Sequence, residues 1–170
     1  EMVDKVESYY NSDAFGNWRN NFLLISDDVD KLSDRLLQQT TDEIAEDVKD
    51  SKPFINEEKI HTDTFAQETS SAGSRYPLVN KAIFDALEVG AIVVNYFGHG
   101  GEDGLAQDRI FDKINAQELN NPNKLSCFVT VTCEYTKFDN PLRKTAGEFL
   151  YWNKRGGAIG LISTTRQIFI

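Results

Sequence analysis

Apolar residues follow two rhythms along this chain. Four short runs are apolar at nearly every position: FLLIS (22–26), AIVVNYF (91–97), CFVTVTC (127–133) and GAIGLISTT (157–165). Such runs read as strands buried on both faces. Between them, apolar residues recur three or four apart, the spacing of a helix with one buried stripe. Residues 1–10 show it through Val3, Val6 and Tyr10, and the stretch after residue 30 through Leu32, Leu36, Leu37, Ile44 and Val48. A third helix opens at Pro77, carries Leu78, Val79, Ala82, Ile83, Ala86 and Leu87, and closes at Gly90. Thr40 with Glu43, and Thr145 with Glu148, have capping-box spacing. The first pair predicts a break in the second helix; the second pair opens a helix over GEFLYWN. DRIFDKINAQELNN reads as a short helix and a turn, and KIHTDTF (59–65) as a short strand. FGNWRNN and AQETSSAGS read as loops.

Strands alternating with helices predict an α/β fold with a mainly parallel sheet covered by helices on both sides. Within 1–170 there is no repeat, and the 66–75 loop does not resemble a domain boundary, so a single domain is expected. A chain this long buries roughly 70% of its unfolded surface. It opens on the polar EMVDKVESYY and stops on the strand-like RQIFI. Both ends look cut, and the expectation is a piece of a larger protein that need not be active alone. No signal-peptide pattern and no apolar run near ~18 residues is present.

The net charge of −9 removes nucleic acid from the expected partners, because a basic footprint is missing. The acidity reads as solubility. Cys127 and Cys133 share one strand-like run. Six residues of strand separate them by about 20 Å, beyond the ~7 Å between Cα atoms that a disulfide allows. Two free thiols are expected. Neither the cysteines nor His61 and His99 show zinc-ligand spacing.

Sites in open parallel sheets form at the carboxyl ends of strands. The first strand ends at Asp27 and Asp28, the second at His99, the third at Cys133 and Glu134, and the fourth at Thr164, Thr165 and Arg166. His99 and Cys133 are 34 residues apart, enough for one crossover between neighbouring parallel strands. An imidazole beside a thiol favours the nucleophilic thiolate and moves protons near neutral pH. Glycines around His99 let a substrate approach, and backbone N–H groups there can bind an oxyanion.

Plainer readings stand beside this one. A cysteine ending a strand is usually a small hydrophobe, and a lone histidine is usually structural. GHGGEDG does not match the G-x-G-x-x-G phosphate motif, since Asp103 holds the third glycine's place. FLLISDD allows a receiver-like signalling domain with a metal at Asp27 and Asp28, but the later strand ends carry His99, Cys133 and Arg166 instead of its Asp and Lys. A non-catalytic binding module on a peptidase fold is a further alternative. Glu134, Thr164, Thr165 and Arg166 are placed where substrate would lie; a surface ion pair is an equal reading of Arg166.

NYFGHGGEDGLAQDRIF, FVTVTCEYTKFDNPLRKTAGEFL and GGAIGLISTTR carry a specific resemblance. Together with RYP ahead of the third helix, they resemble the gingipain-type cysteine peptidases from about Trp18 to the C-terminus. Within them the likeness is to the PorU-type sortase branch of the type IX secretion system of Bacteroidetes. The resemblance implies a caspase-like three-layer α/β/α fold with His99 as general base and acid and Cys133 as nucleophile. The backbone N–H groups of Gly100 and Cys133 would form the oxyanion hole. It implies an endopeptidase that cuts the C-terminal sorting signal from secreted cargo through a thioester. The acyl group then passes to an amine of anionic lipopolysaccharide, or to water. The implied location is the cell surface, outer-membrane associated and reached through the periplasm, beside other secretion components. No cofactor is required, and calcium is possible, with Asp27, Asp28 and Asp30 as candidate ligands. Asp63 and Asp28 are candidates to orient His99. The acidic residue that selects arginine in Arg-specific gingipains has no assigned counterpart.

Overall fold

The computed structural model describes residues 2–71 and 73–169. Its centre is a five-stranded sheet built from β1 (Asn21–Ser26), β2 (Asn56–His61), β5 (Val93–Phe97), β9 (Ser126–Val131) and β10 (Ala158–Ser163). The strand order is β10-β9-β5-β1-β2, and every pairing is parallel. Helices α1 (Met2–Tyr9), α2 (Arg35–Ser51), α3 (Pro77–Val89), α4 (Lys113–Glu118) and α5 (Ala146–Trp152) flank it. Two small antiparallel units complete the elements: the hairpin β3 (Glu68–Ser70) and β4 (Gly73–Arg75), and the three-stranded β6 (Gly100–Gly101), β7 (Gly104–Leu105) and β8 (Phe111–Asp112).

Alternation along the strands sends neighbouring side chains to opposite faces. Leu23 and Ile25 of β1 join Val94 and Tyr96 of β5 and Phe128 of β9 in the main core. Val79, Ile83 and Leu87 of α3 and Leu150 of α5 close that core. Each such fully buried side chain contributes about 1.5–3 kcal/mol. Leu24 points to the other face, where α2 packs on β1 and β2 and buries Leu37, Thr41 and Ala45. Two-sided cover therefore holds at β1 and β2. At the β10 edge it does not: Ile162 is 65% exposed.

Several expectations need correction. α2 is continuous across Thr40 and Glu43. Thr41 Oγ1 donates back to the Leu37 carbonyl, and the buried stripe through Leu37 and Ala45 outweighs a local cap. The expected 66–75 loop contains the β3–β4 hairpin. β2 begins at Asn56, ahead of the weak alternation, and is an edge strand. β9 ends at Val131 and β10 at Ser163, so Cys133 and Thr164 stand just past their strands. The Thr145–Glu148 capping box is present and opens α5, and Gly90 ends α3 with φ 101°. A side chain at Gly90 would meet the Trp18 Cβ at 2.8 Å.

Candidate active site

β5 and β9 are neighbours, with Phe97 in register with Val131. His99 and Cys133 each follow by two residues, so they emerge from one sheet edge on strands ~4.8 Å apart. The Gly98 N–H donates to the Val131 carbonyl at 3.3 Å and holds the two exits together. Gly98 has no substitute there: a Cβ would lie 2.5 Å from both Asp27 Cβ and the Tyr96 hydroxyl oxygen.

The His99 side chain is 46% exposed, and its Nε2 lies 3.5 Å from Asp34 Oδ1. Asp34 is buried and also accepts from the Lys31 N–H at 2.8 Å and from Ser33 Oγ at 3.2 Å. Burial opposes ionisation of Asp34. The Lys31, Ser33 and His99 donors overcome it and hold the carboxyl below its ordinary value. A carboxylate on Nε2 fixes the ring and leaves Nδ1 to act as base. Asp34, His99 and Cys133 line one cleft of about 300 Å³, walled by Leu36, Ile168 and Phe169. The half-buried Cys133 Sγ donates to the Ile168 carbonyl at 3.6 Å.

Two sets of ties hold the cysteine loop. Glu134 has a left-handed backbone, φ 52°, directly after Cys133, a conformation that costs energy and is kept only where surroundings impose it. Its N–H donates to the Arg166 carbonyl at 3.2 Å, the Thr136 N–H to the Thr164 carbonyl at 3.2 Å, and Thr164 Oγ1 to the Thr132 carbonyl. The second set joins the histidine loop to the cysteine loop. Lys137 bridges Glu134 at 2.8 Å and Glu102 at 3.3 Å, and Asp103 pairs with Lys113 and Arg143. Those two cations, Lys113 first, bring the Asp103 carboxyl down to about 2.

The carboxylate at the His99 ring is thus Asp34, and the structure corrects the expectation of Asp63 or Asp28. Asp63 accepts from the Val29 N–H and Gln38 Nε2, and Asp28 from the Tyr76 hydroxyl at 3.0 Å. Asp34 hides in sequence as an ordinary acid at a helix start; KLSDRLL, with Ser and Asp before a helical stripe, is the signal that marks it. Glu134 is engaged by Lys137, and Arg166 pairs with Asp139 at 2.6 and 3.1 Å. Thr165 lines a separate groove with Phe138, Trp152 and Leu161. These side chains and Thr164 lie outside the cleft lining.

Asp27, Asp28 and Asp30 do not fit calcium, which needs about six to eight free oxygen ligands. Asp27 accepts from the peptide N–H groups of His99 and Asp28. Burial first, and then the neighbouring Asp28, push its carboxyl up to about 8. Among the described residues, no group of three or more His, Cys, Asp or Glu is gathered to hold a metal ion. Cys127 and Cys133 are both free thiols.

Solved structures share this architecture. The Arg-specific cysteine proteinase gingipain R matches with TM-score 0.76 and 19% identity over 99% of this chain and 37% of its own. The complex of Porphyromonas gingivalis RgpB pro- and mature domains matches with TM-score 0.74 and 19% identity, over 98% and 37%. A third structure, described as a protease, matches with TM-score 0.74 and 17% identity, over 99% and 34%. The chain thus spans little more than a third of these chains, and shares their gingipain-type, caspase-like α/β fold. No curated protein sequence matches it. The sequence model of peptidase family C25 matches residues 1–170, and the chain belongs to that family.

Proposed function

We propose that this chain is the catalytic core of a cysteine endopeptidase that works as a PorU-type sortase. The observation that carries the peptidase reading is the single cleft lined by Asp34, His99 and Cys133. His99 Nδ1 takes the Cys133 proton, and the thiolate attacks a backbone carbonyl. The N–H groups of Gly100 and Cys133 receive the developing oxyanion. Collapse breaks the C–N bond, His99 returns its proton to the leaving amine, and a thioester remains on Cys133. An incoming amine or water, deprotonated by His99, then releases the acyl group and restores the thiol. Asp34 keeps the imidazole in the tautomer that this sequence needs.

The finer reading is supported by the likeness of the His99 and Cys133 motifs to the sortase branch. The substrates are secreted proteins bearing C-terminal sorting domains, the acceptor is an amine of anionic lipopolysaccharide, and other secretion components are neighours at the outer membrane. The site works at the cell surface.

The test uses the full-length protein, a peptide spanning a sorting-domain junction and an added primary amine. Mass spectrometry is expected to find an acyl adduct on Cys133 and an aminolysis product beside the hydrolysis product. Hydrolysis alone at high amine concentration would reject the sortase reading and keep the peptidase. No adduct and no cleavage would reject both.

A further inference from the structure

His99 is held by its backbone as firmly as by its ring. Its N–H donates to Asp27 Oδ2 at 2.8 Å. Its carbonyl accepts from the Tyr96 hydroxyl at 2.6 Å and from the Ala106 N–H at 2.9 Å. The peptide planes before and after His99 are therefore both tethered, which sets its φ and ψ. Only the side-chain torsions remain, and Asp34 restrains those through Nε2.

Asp27 is costly as a mere filler. It is 1% exposed, and its carboxyl lies among groups that disfavour charge. Asp28 adjoins it in the same turn, the Tyr96 phenol faces it from β5, and the Tyr76 phenol ahead of α3 donates to Asp28. Asp63, Asp30 and Asp108 stand further out in the same field, with Arg75 beyond Asp108. An apolar residue would fill the space without that penalty. What the carboxyl supplies is an acceptor for two peptide N–H groups, the part-buried one of His99 through Oδ2 and the buried one of Asp28 through Oδ1 at 3.1 Å.

We infer that Asp27 is a positioning residue for His99: it anchors the His99 peptide N–H and so aims the imidazole between Asp34 and Cys133. This rests on the proposed cysteine-peptidase chemistry. Loss of the acceptor leaves the part-buried His99 N–H without its protein partner. The loop then rotates to find a partner and carries the ring off the line to Asp34.

The proton on Asp27 gives a second readout. A carboxyl whose folded value is raised keeps a proton that the unfolded chain has lost. It therefore costs no stability below the ordinary carboxyl range. The cost grows as pH rises from that range toward about 8 and is full above it. Asparagine in the same place keeps an acceptor and removes the titration.

The experiment compares wild type, His99→Ala, Asp27→Asn and Asp27→Leu in the full-length protein. It reads the iodoacetamide alkylation rate of Cys133 near pH 7 and the thermal midpoint from pH 5 to pH 9. His99→Ala is expected to slow alkylation, which establishes the dyad. Asp27→Leu, similar in shape but without an acceptor, is expected to lose roughly tenfold or more of the His99-dependent rate, as a donor that loses its partner does. Asp27→Asn is expected to recover to within about threefold, with a midpoint that falls less than wild type between pH 7 and pH 9. If His99→Ala changes nothing, the peptidase reading fails. If His99→Ala slows alkylation but a folded Asp27→Leu matches wild type, the positioning role fails. Where Asp27→Leu does not fold, Asp27→Asn decides: a rate as low as that of His99→Ala overturns the inference, and recovery upholds it.

Discussion

The two histidines sit in surroundings that look alike on paper and differ in chemistry. His61 ends β2 with Nδ1 at 2.6 Å from Ser26 Oγ and Nε2 at 3.2 Å from Asp42 Oδ1. His99 follows β5 with Asp34 on Nε2 and shares a cleft with Cys133. Each is an Asp–His–nucleophile set at one end of the same sheet. Ser26, however, is 0% exposed and lies within β1, paired with β2 on one side and β5 on the other. No carbonyl can reach its oxygen, and the sheet's ladders engage the surrounding backbone. Cys133 stands two residues beyond its strand and lines an open cleft. Access, rather than the triad of residue types, separates the proposed catalytic arrangement from a structural one.

The sharpest test of that contrast exchanges the nucleophiles. Cys133→Ala is expected to abolish acyl-adduct formation and cleavage. Ser26→Ala is expected to leave both in place and to lower stability by about 1 kcal/mol, the worth of one buried hydrogen bond, read from denaturant unfolding. Equal loss of activity in both variants would collapse the distinction. Next in size, His99→Ala is expected to reduce cleavage by about 10²–10⁴-fold, the usual share of general acid–base catalysis. His61→Ala is expected to keep the rate within about twofold, in keeping with a role in packing and hydrogen bonding alone.

The two carboxylates separate by a smaller margin. Asp34→Asn is expected to lower kcat by roughly tenfold or more with little change in KM, since it disturbs the His99 tautomer and not the binding surface. Asp42→Asn is expected to leave kinetics alone. Asp42 is held below the ordinary carboxyl value, by Lys59 first and then by His61, and Asp34 is held low as well. For both, the stabilisation is present above the unfolded carboxyl value and is lost as pH falls through the lower folded value. Asp42 is half exposed, so solvent screening makes its share small. Thermal midpoints of the two asparagine variants below pH 5 would check this. The smallest effect is expected from Arg166→Ala. Its guanidinium is paired with Asp139 at the exposed surface, and cleavage is expected to stay within about twofold. A larger loss would return Arg166 to the substrate.

Legibility followed the range of the forces involved. β1, β5, β9 and β10 were readable because each carries apolar residues at most positions, although β10 proves to lack cover on the face of Ile162. α3 was readable through its stripe, its Pro77 start and its Gly90 stop. The break expected at Thr40 was a local signal, and the packing of α2 on β1 and β2 overrode it. The hairpin and the three-stranded unit escaped notice because their strands are two or three residues long and rich in glycine and polar side chains. Those strands exist only through their partners.

The site divides the same way. By itself the sequence determined that a histidine and a cysteine leave the sheet at the carboxyl ends of core strands, because strand patterning and glycine placement are written within a few residues. Only the tertiary structure decided which carboxylate serves His99. Asp34 lies 65 residues away in sequence, and its helix-start signal KLSDRLL does not single it out over Asp28, Asp30 or Asp63 as the partner of His99. The adjacency of β1 and β5 and the start of α2 bring it to the ring. Likewise Asp27 ends one strand and holds the peptide that follows another. Contacts between distant segments depend on strand order, and strand order is settled by burial summed over the whole sheet.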